Sequence, residues 1–182
     1  MIFNNTYIGI FKRNRVNKAD RPIIRPDMTP VDWLLESVAL MGMMIFLGYV
    51  IYQFPRLSET IPSHFNGAGI PDEYSPKSFF WVLPGVGIFI YILLSLIVLV
   101  PHQFNYTVKI TPKNALIQYS MAIRLIRYLK AALTWLFFYI SNATIRISAG
   151  GGSGLGSWFL PVALGGIFLP IIIYFIAASK KK

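Results

Sequence analysis

The sequence has no cysteine. That excludes disulfide cross-links, thiolate metal sites and a cysteine nucleophile within these residues. Charge is scarce as well. Asp, Glu, Lys and Arg make up 13% of the 182 residues, against about 25% in an average soluble domain. Only seven residues are acidic, and none follows Glu73. No acid–base carboxylate pair is therefore available after that point. Two histidines leave no His-rich box, and the motifs H-E-x-x-H and G-x-S-x-G are missing. The expectation is a protein that is not an enzyme, with no catalytic, cofactor-binding or metal-ligating residue assigned and no cofactor.

What is present is apolar. Hydrophobic residues reach 55%, in runs long enough to cross a bilayer. Residues 34–54 carry one charge, Glu36, and 79–100 and 158–178 carry none. At 1.5 Å per residue, 21 residues span roughly 31 Å, about the thickness of the hydrocarbon core. A further segment, 125–145, is rich in Leu, Trp and Phe but contains Arg127 and Lys130 near its start. Both cations can snorkel to the headgroups. A re-entrant or interfacial helix is the competing interpretation, because the charge-free run 131–143 is too short to span. The fold class expected is all-α integral membrane, a four-transmembrane-helix bundle with an ordered extracytoplasmic loop. The helices are placed at about 31–54, 79–100, 112–145 and 158–178. A basic cytoplasmic N-terminal segment, 1–30, precedes the membrane domain, 31–179, and a basic cytoplasmic tail, 180–182, follows.

Local signals set these boundaries. Thr29-Pro30, Ser75-Pro76 and Thr111-Pro112 each pair a capping oxygen with a proline at the first helical position. Trp33, Trp81 and Trp158 stand at helix ends, where indole favours the membrane interface. Pro84-Gly85, Pro161, Gly165-Gly166 and Pro170 predict kinks or close helix packing. No cleavable signal peptide is expected, because basic residues follow a short apolar start.

The formal charge of +10 is distributed unevenly. With four crossings and the N-terminus inside, 14 of the 17 Lys and Arg fall on the cytoplasmic side. They include Lys12, Arg13, Arg15, Lys18, Arg21 and Arg25 before the first helix and Lys180, Lys181 and Lys182 at the end. The positive-inside rule thus places both termini in the cytoplasm. Membrane lipids are the first partners, with anionic headgroups drawn to the basic face. No nucleic-acid-binding signature accompanies the charge, so nucleic acid is not a partner.

The loop 55–78 is the most distinctive stretch. Asn66-Gly67 and Gly69 supply turn positions, and Pro62 and Pro71 fix φ on either side. Ile61, Phe65, Ile70 and Tyr74 are expected to bury against the helix ends. His64, Asn66, Asp72 and Glu73 suit either a metal or proton site, or a hydrogen-bonded turn with solvated acids. The glycine-rich segment 149–157 lacks the Lys-Ser/Thr of a P-loop and is expected to be a flexible connection.

Ile61-Pro62, His64-Phe65-Asn66, Gly69, Pro71-Asp72, Tyr74 and Lys77 lie between two apolar helices. They resemble the I-P-x-H-F-N-x-x-G-x-P-D-x-Y-x-x-K signature of a bacterial membrane family of unknown function. That family is found as the N-terminal domain of the SdpI-type immunity protein to the sporulation-delaying toxin. The resemblance implies a multi-pass protein of the bacterial inner membrane. For the immunity protein itself it implies toxin immunity and signalling by holding a repressor at the membrane. The second, SdpI-type membrane domain has no counterpart in these 182 residues. His64, Phe65, Asn66, Gly69, Pro71, Asp72, Tyr74 and Lys77 form the candidate recognition loop.

On the other side, Phe104, Tyr106, Val108 and Ile110 alternate with polar residues, a strand-like pattern. Arg124, Arg127 and Lys130 recur every three residues as a candidate cytoplasmic basic face. It would anchor headgroups or dock an acidic partner. Glu36 is placed to pair with Arg127 or Lys130 across the bundle. The function expected is a binding or regulatory membrane protein, including an immunity-like role. The alternatives are an accessory subunit of a larger membrane complex and a small transporter or channel. A membrane-protein partner or a homo-oligomer fits each of these.

Overall fold

A computed structural model describes residues 18–181. The expectations resting on Lys12, Arg13, Arg15 and Lys182 lie outside the described residues. The described residues form four α-helices: α1 (Pro30–Gln53), α2 (Val82–Ile97), α3 (Ala115–Ser148) and α4 (Phe159–Lys180). Between α1 and α2 stands an antiparallel hairpin of β1 (Thr60–Phe65) and β2 (Pro71–Pro76). The architecture is therefore mostly helical rather than all-α. Among the described residues, three stretches are long and apolar enough to cross a membrane: Pro30–Arg56, Lys77–Ile97 and Phe159–Lys180.

The start of α1 follows its sequence signals. Thr29 Oγ1 accepts from the Asp32 amide at 3.4 Å, and the Asp32 carboxylate accepts from the Thr29 amide at 3.0 Å. This reciprocal capping box satisfies two otherwise free donors. The other two capping expectations are not met. Ser75 lies in β2, where its hydroxyl donates to Ser63 Oγ at 2.9 Å. Asn114, not Thr111, is the N-cap of α3, and its side chain accepts from the Thr111 amide at 2.8 Å. Local turn chemistry competes with capping for the same short polar side chains.

The long helix α3 is the centre of the bundle. From Gln118 to Ile145 no residue is exposed. Its contacts with α1 run in parallel: Asp32 meets Arg124, Glu36 meets Lys130 and Gly42 meets Trp135. Its contacts with α4 run antiparallel over the whole of that helix. At one end Gln118 Nε2 donates to the Ala178 carbonyl at 2.9 Å and the Lys181 carbonyl at 2.7 Å. In the middle Tyr128 Oη donates to the Gly166 carbonyl at 2.9 Å. At the far end Tyr139 stacks on Phe159, with ring centroids 5.4 Å apart. Kinks or close packing are expected at Gly85, Gly165 and Gly166; no neighbour packs over the Cα of any of the three, where the space is open, and contact at Gly166 runs through its carbonyl. Close approach occurs instead at Gly42, packed under the Trp135 indole.

This enclosure explains why α3 is the least apolar of the four helices. Gln118, Lys130, Thr134, Ser141 and Thr144 along it are all buried. The outer helices carry the apolar exterior instead, through Leu40 and Met44 on α1, Phe89 and Leu96 on α2, and Phe168 and Ile172 on α4.

The two ends of the bundle differ. Met43, Phe46, Val50, Leu57, Ile61, Phe80 and Ile145 form the core beneath the hairpin. At the opposite end Ile110, Ala115 and Tyr119 pack with Tyr106 and Val108. The strand-like alternation at 104–110 does not form a strand. With no edge to pair with, it serves to seat Tyr106, Val108 and Ile110 on the start of α3.

Candidate functional site

The hairpin is built from β1 and β2 with Thr60 opposite Pro76, Ile61 opposite Ser75 and Pro62 opposite Tyr74. The register then slips. His64 pairs with Glu73 and Phe65 with Pro71, leaving Ser63 and then Asp72 as extra residues. Bulges of this kind re-aim side chains, and here they accompany contact between His64 and Asp72. The ring Nδ1 of His64 lies 2.6 Å from Asp72 Oδ1, with both side chains largely exposed. That hydrogen bond, together with the charges of Asp72 and Glu73, raises the His64 pKa above its ordinary value.

Asn66 closes the tip. Its Oδ1 accepts from the amides of Ala68 at 3.0 Å and Ile70 at 3.1 Å. Its own amide donates to the Ile70 carbonyl at 2.9 Å. Gly69 sits at φ +76, in the left-handed region that favours glycine. Its carbonyl accepts from the Leu155 amide at 2.7 Å. The glycine-rich segment is thus docked on the hairpin tip, and Leu155 is buried there. This corrects the expectation of a flexible connection. A Cβ at Gly154 would run into the Gly69 carbonyl, so the docking demands glycine at that position.

The hairpin root is fixed too. Ile61 is 1% exposed, and Ser58 Oγ donates to the Ser148 carbonyl at 2.7 Å. Lys77 Nζ pairs with Glu59 at 2.6 Å on the surface. Ile70 and Tyr74, expected to bury, are exposed. Ile70 stands at the tip, and Tyr74, although opposite Pro62, is left open to the surroundings.

Beneath the hairpin lies a cleft of about 440 Å³. Its walls come from β1, the approach to α2 and its first turn, the last turns of α3, Leu155 of the glycine-rich segment and Phe159 at the start of α4. Apolar residues dominate the lining, notably Phe65, Phe79, Phe80, Ile140 and Phe159, with Ser63, His64, Ser141 and Thr144 as the polar groups. Its size and character fall in the range of small-molecule sites. Ser141 is fully buried, and its hydroxyl has no hydrogen-bond partner.

The candidate recognition residues therefore divide. His64 and Phe65 line the cleft, while Asn66, Gly69, Pro71, Asp72 and Lys77 shape or brace the hairpin, and Tyr74 stands on its exposed face. Sequence reasoning missed Ser141 and Thr144. Their signal was a pair of hydroxyls one turn apart in an apolar helix. Among the described residues, no three His, Asp or Glu side chains converge as a metal site.

The candidate basic face turns inward. Arg124 Nε lies 3.3 Å from Asp32 Oδ1, and Arg127 bridges Asp32 and Glu36 at 3.1 Å each. Lys130 Nζ lies 2.6 Å from Glu36 Oε2 and 3.0 Å from Ser95 Oγ, beneath the Tyr91 ring. The pairing expected for Glu36 is present with both cations. All three cations are committed to these carboxylates, and only Arg124 keeps a sizeable part of its side chain, 41%, open to the surroundings.

No curated protein and no solved structure matches the chain. Residues 41–88, from the middle of α1 through the hairpin into α2, match the family model described as a domain of unknown function, DUF1648.

Proposed function

We propose that this is a non-enzymatic binding module of the bacterial inner membrane, with four spanning helices and both termini in the cytoplasm. Its hairpin lies on the extracytoplasmic side and recognises a ligand or partner at the cleft. The carrying observation is that the hairpin is fixed at root and tip over an apolar cleft, by Ile61 below and by the Gly69–Leu155 bond above. A braced loop over a preformed cavity binds without the cost of ordering itself.

Support for a spanning α3 comes from its alignment along the full length of α4. The bundle end that holds Lys18, Arg21, Lys109, Lys113 and Lys180 is the basic one, which favours placing it in the cytoplasm. Kinship with the N-terminal domain of the SdpI-type immunity protein, and an immunity-like role, belong to the same proposal. They draw on the hairpin signature and on the match to a domain of unknown function.

The test is purification from native membranes in mild detergent, followed by mass spectrometry of what remains bound. Wild type is expected to retain a species that Asn66→Ala and Phe65→Ala lose. Identical bound species in all three would overturn the proposal. A transport role draws instead on the interior charges around Glu36 and Lys130. Solute flux in proteoliposomes that Lys130→Met abolishes would favour it.

A further inference from the structure

We propose that the cleft under the hairpin holds an acyl amphiphile of the surrounding membrane. One acyl chain lies among Phe65, Phe79, Phe80, Ile140 and Phe159, and its carbonyl accepts a hydrogen bond from Ser141 Oγ. This assignment presupposes that the cleft is the binding site; it adds the chemical class of the ligand.

Three observations point to that class. The first is the lining, which is mostly apolar and aromatic in large part. A charged or sugar-like ligand would lose its hydration there with little in return. A hydrocarbon chain is stabilised by every contact.

The second is Ser141. Its Oγ is buried without a partner in the wall of the cleft. A buried hydroxyl left without a partner is destabilising. Serine in a helix commonly donates back to the carbonyl four residues earlier, as Thr134 does to Lys130 at 2.8 Å on the same helix. Ser141 does not, so its donor is unpaired; the oxygen is sealed behind the lining, and an acyl carbonyl reaches it as the neighbouring side chains shift aside. A pure hydrocarbon supplies none, whereas the carbonyl of an acyl ester or fatty acid supplies one.

The third is where the cleft opens. Phe79 and Val82 line it and are also 46% and 48% exposed, on the flank of a helix apolar enough to cross a membrane. Trp81 and Trp158, both about half exposed, stand at the neighbouring helix starts. Indoles at this level mark the membrane interface. The cleft wall is thus continuous with the lipid-facing surface, and a ligand enters sideways from the bilayer. His64 lies at the hairpin side of the same cavity and is largely exposed. It provides a polar rim for a headgroup.

The experiment uses the full chain reconstituted in phospholipid nanodiscs, with two probes. One is palmitic acid carrying a diazirine in the chain, and the other is lysophosphatidylglycerol with the same chain. After photolysis, labelled peptides are mapped by mass spectrometry. Enrichment at Phe79, Ile140 and Phe159 over the outer-face residues Leu40, Met44 and Ile172, by fivefold or more, is the expected result. Labelling by either probe supports the acyl assignment, and the stronger of the two identifies the head. Ile140→Trp fills the cleft and is expected to cut cleft labelling at least fivefold. Ser141→Ala, which removes the donor and adds no bulk, is expected to cut it about threefold. Uniform labelling of cleft and outer faces would overturn the proposal, and the wild-type map decides this even if Ile140→Trp does not fold. If labelling is uniform while Phe65→Ala still strips a co-purifying species, the binding module stands and only its ligand class falls.

Discussion

Lys130 Nζ lies 2.6 Å from Glu36 Oε2, deep enough that the lysine side chain is 3% exposed. The pair joins the central helix to α1, and Ser95 Oγ ties α2 to the same ammonium at 3.0 Å. One buried cation thereby links three helices. Polar contacts of this kind fix register where apolar packing alone would tolerate a slide.

Removing either partner has unequal effects. Glu36→Leu leaves Lys130 with only a hydroxyl and an aromatic face, and leaves Arg127 with Asp32 alone. We expect a loss of about 3 kcal/mol, in the range for an uncompensated buried charge. Lys130→Met leaves Glu36 paired to Arg127 at 3.1 Å, so its loss is smaller. The double variant is expected to lose less than the sum of the two. Unfolding in mixed micelles measures all three, and strict additivity would show that the pair is not coupled.

The two loops at the hairpin end stand or fall together. Gly154→Ala places a methyl group against the Gly69 carbonyl and is expected to detach the glycine-rich segment. Gly150→Ala is a control: its φ is +79, but the space around it is open. It carries only the left-handed penalty of about 1–2 kcal/mol. Hydrogen exchange at the Leu155 amide reports the difference. Strong acceleration is expected in Gly154→Ala and little in Gly150→Ala; equal protection in both would show that the docking bond is not held by close contact.

Much of this was legible in the sequence, for a physical reason. The helices α1, α2 and α4 each expose apolar side chains along their length, so each needs a long apolar run and announces itself. The central helix does not. Enclosed by its neighbours, it carries Gln118, Lys130 and Ser141 inside, and its hydropathy falls for the very reason that it is central. The hairpin was legible as an ordered loop but not as strands. Pro62, Pro71 and Pro76 interrupt the strand pattern, and only a two-stranded ribbon, all edge, accommodates them. The cleft was invisible because its walls come from separate segments. Nothing near Ser141 in sequence says that β1 lies over it.

The His64–Asp72 contact makes the hairpin sensitive to pH. The His64 pKa is raised in the folded state, chiefly by the hydrogen bond to Asp72. Its stabilising contribution is therefore fully present below the unfolded value of about 6.5. It is lost as pH rises through the higher folded value. Asp72→Asn is expected to move the imidazole titration down toward 6.5 and to flatten the dependence. An NMR titration of the His64 ring checks this; an unchanged midpoint in Asp72→Asn would rule out the carboxylate as the cause.

The absence of cysteine from all 182 residues makes the side of each loop directly measurable. Single cysteines at Glu73, Asn105 and Ser153 each occupy exposed positions and carry no background from native thiols. If α3 crosses the membrane alongside α4, then Glu73→Cys and Ser153→Cys share the extracytoplasmic side. Both should react with an impermeant maleimide on intact cells, and Asn105→Cys only after permeabilisation. If α3 is re-entrant, the contact between Leu155 and Gly69 cannot form across the bilayer, and Ser153→Cys will be protected together with Asn105→Cys. The reactivity of Ser153→Cys thus tests the fourth crossing and the loop docking at once, because the 2.7 Å bond from Leu155 to Gly69 requires both loops on one side.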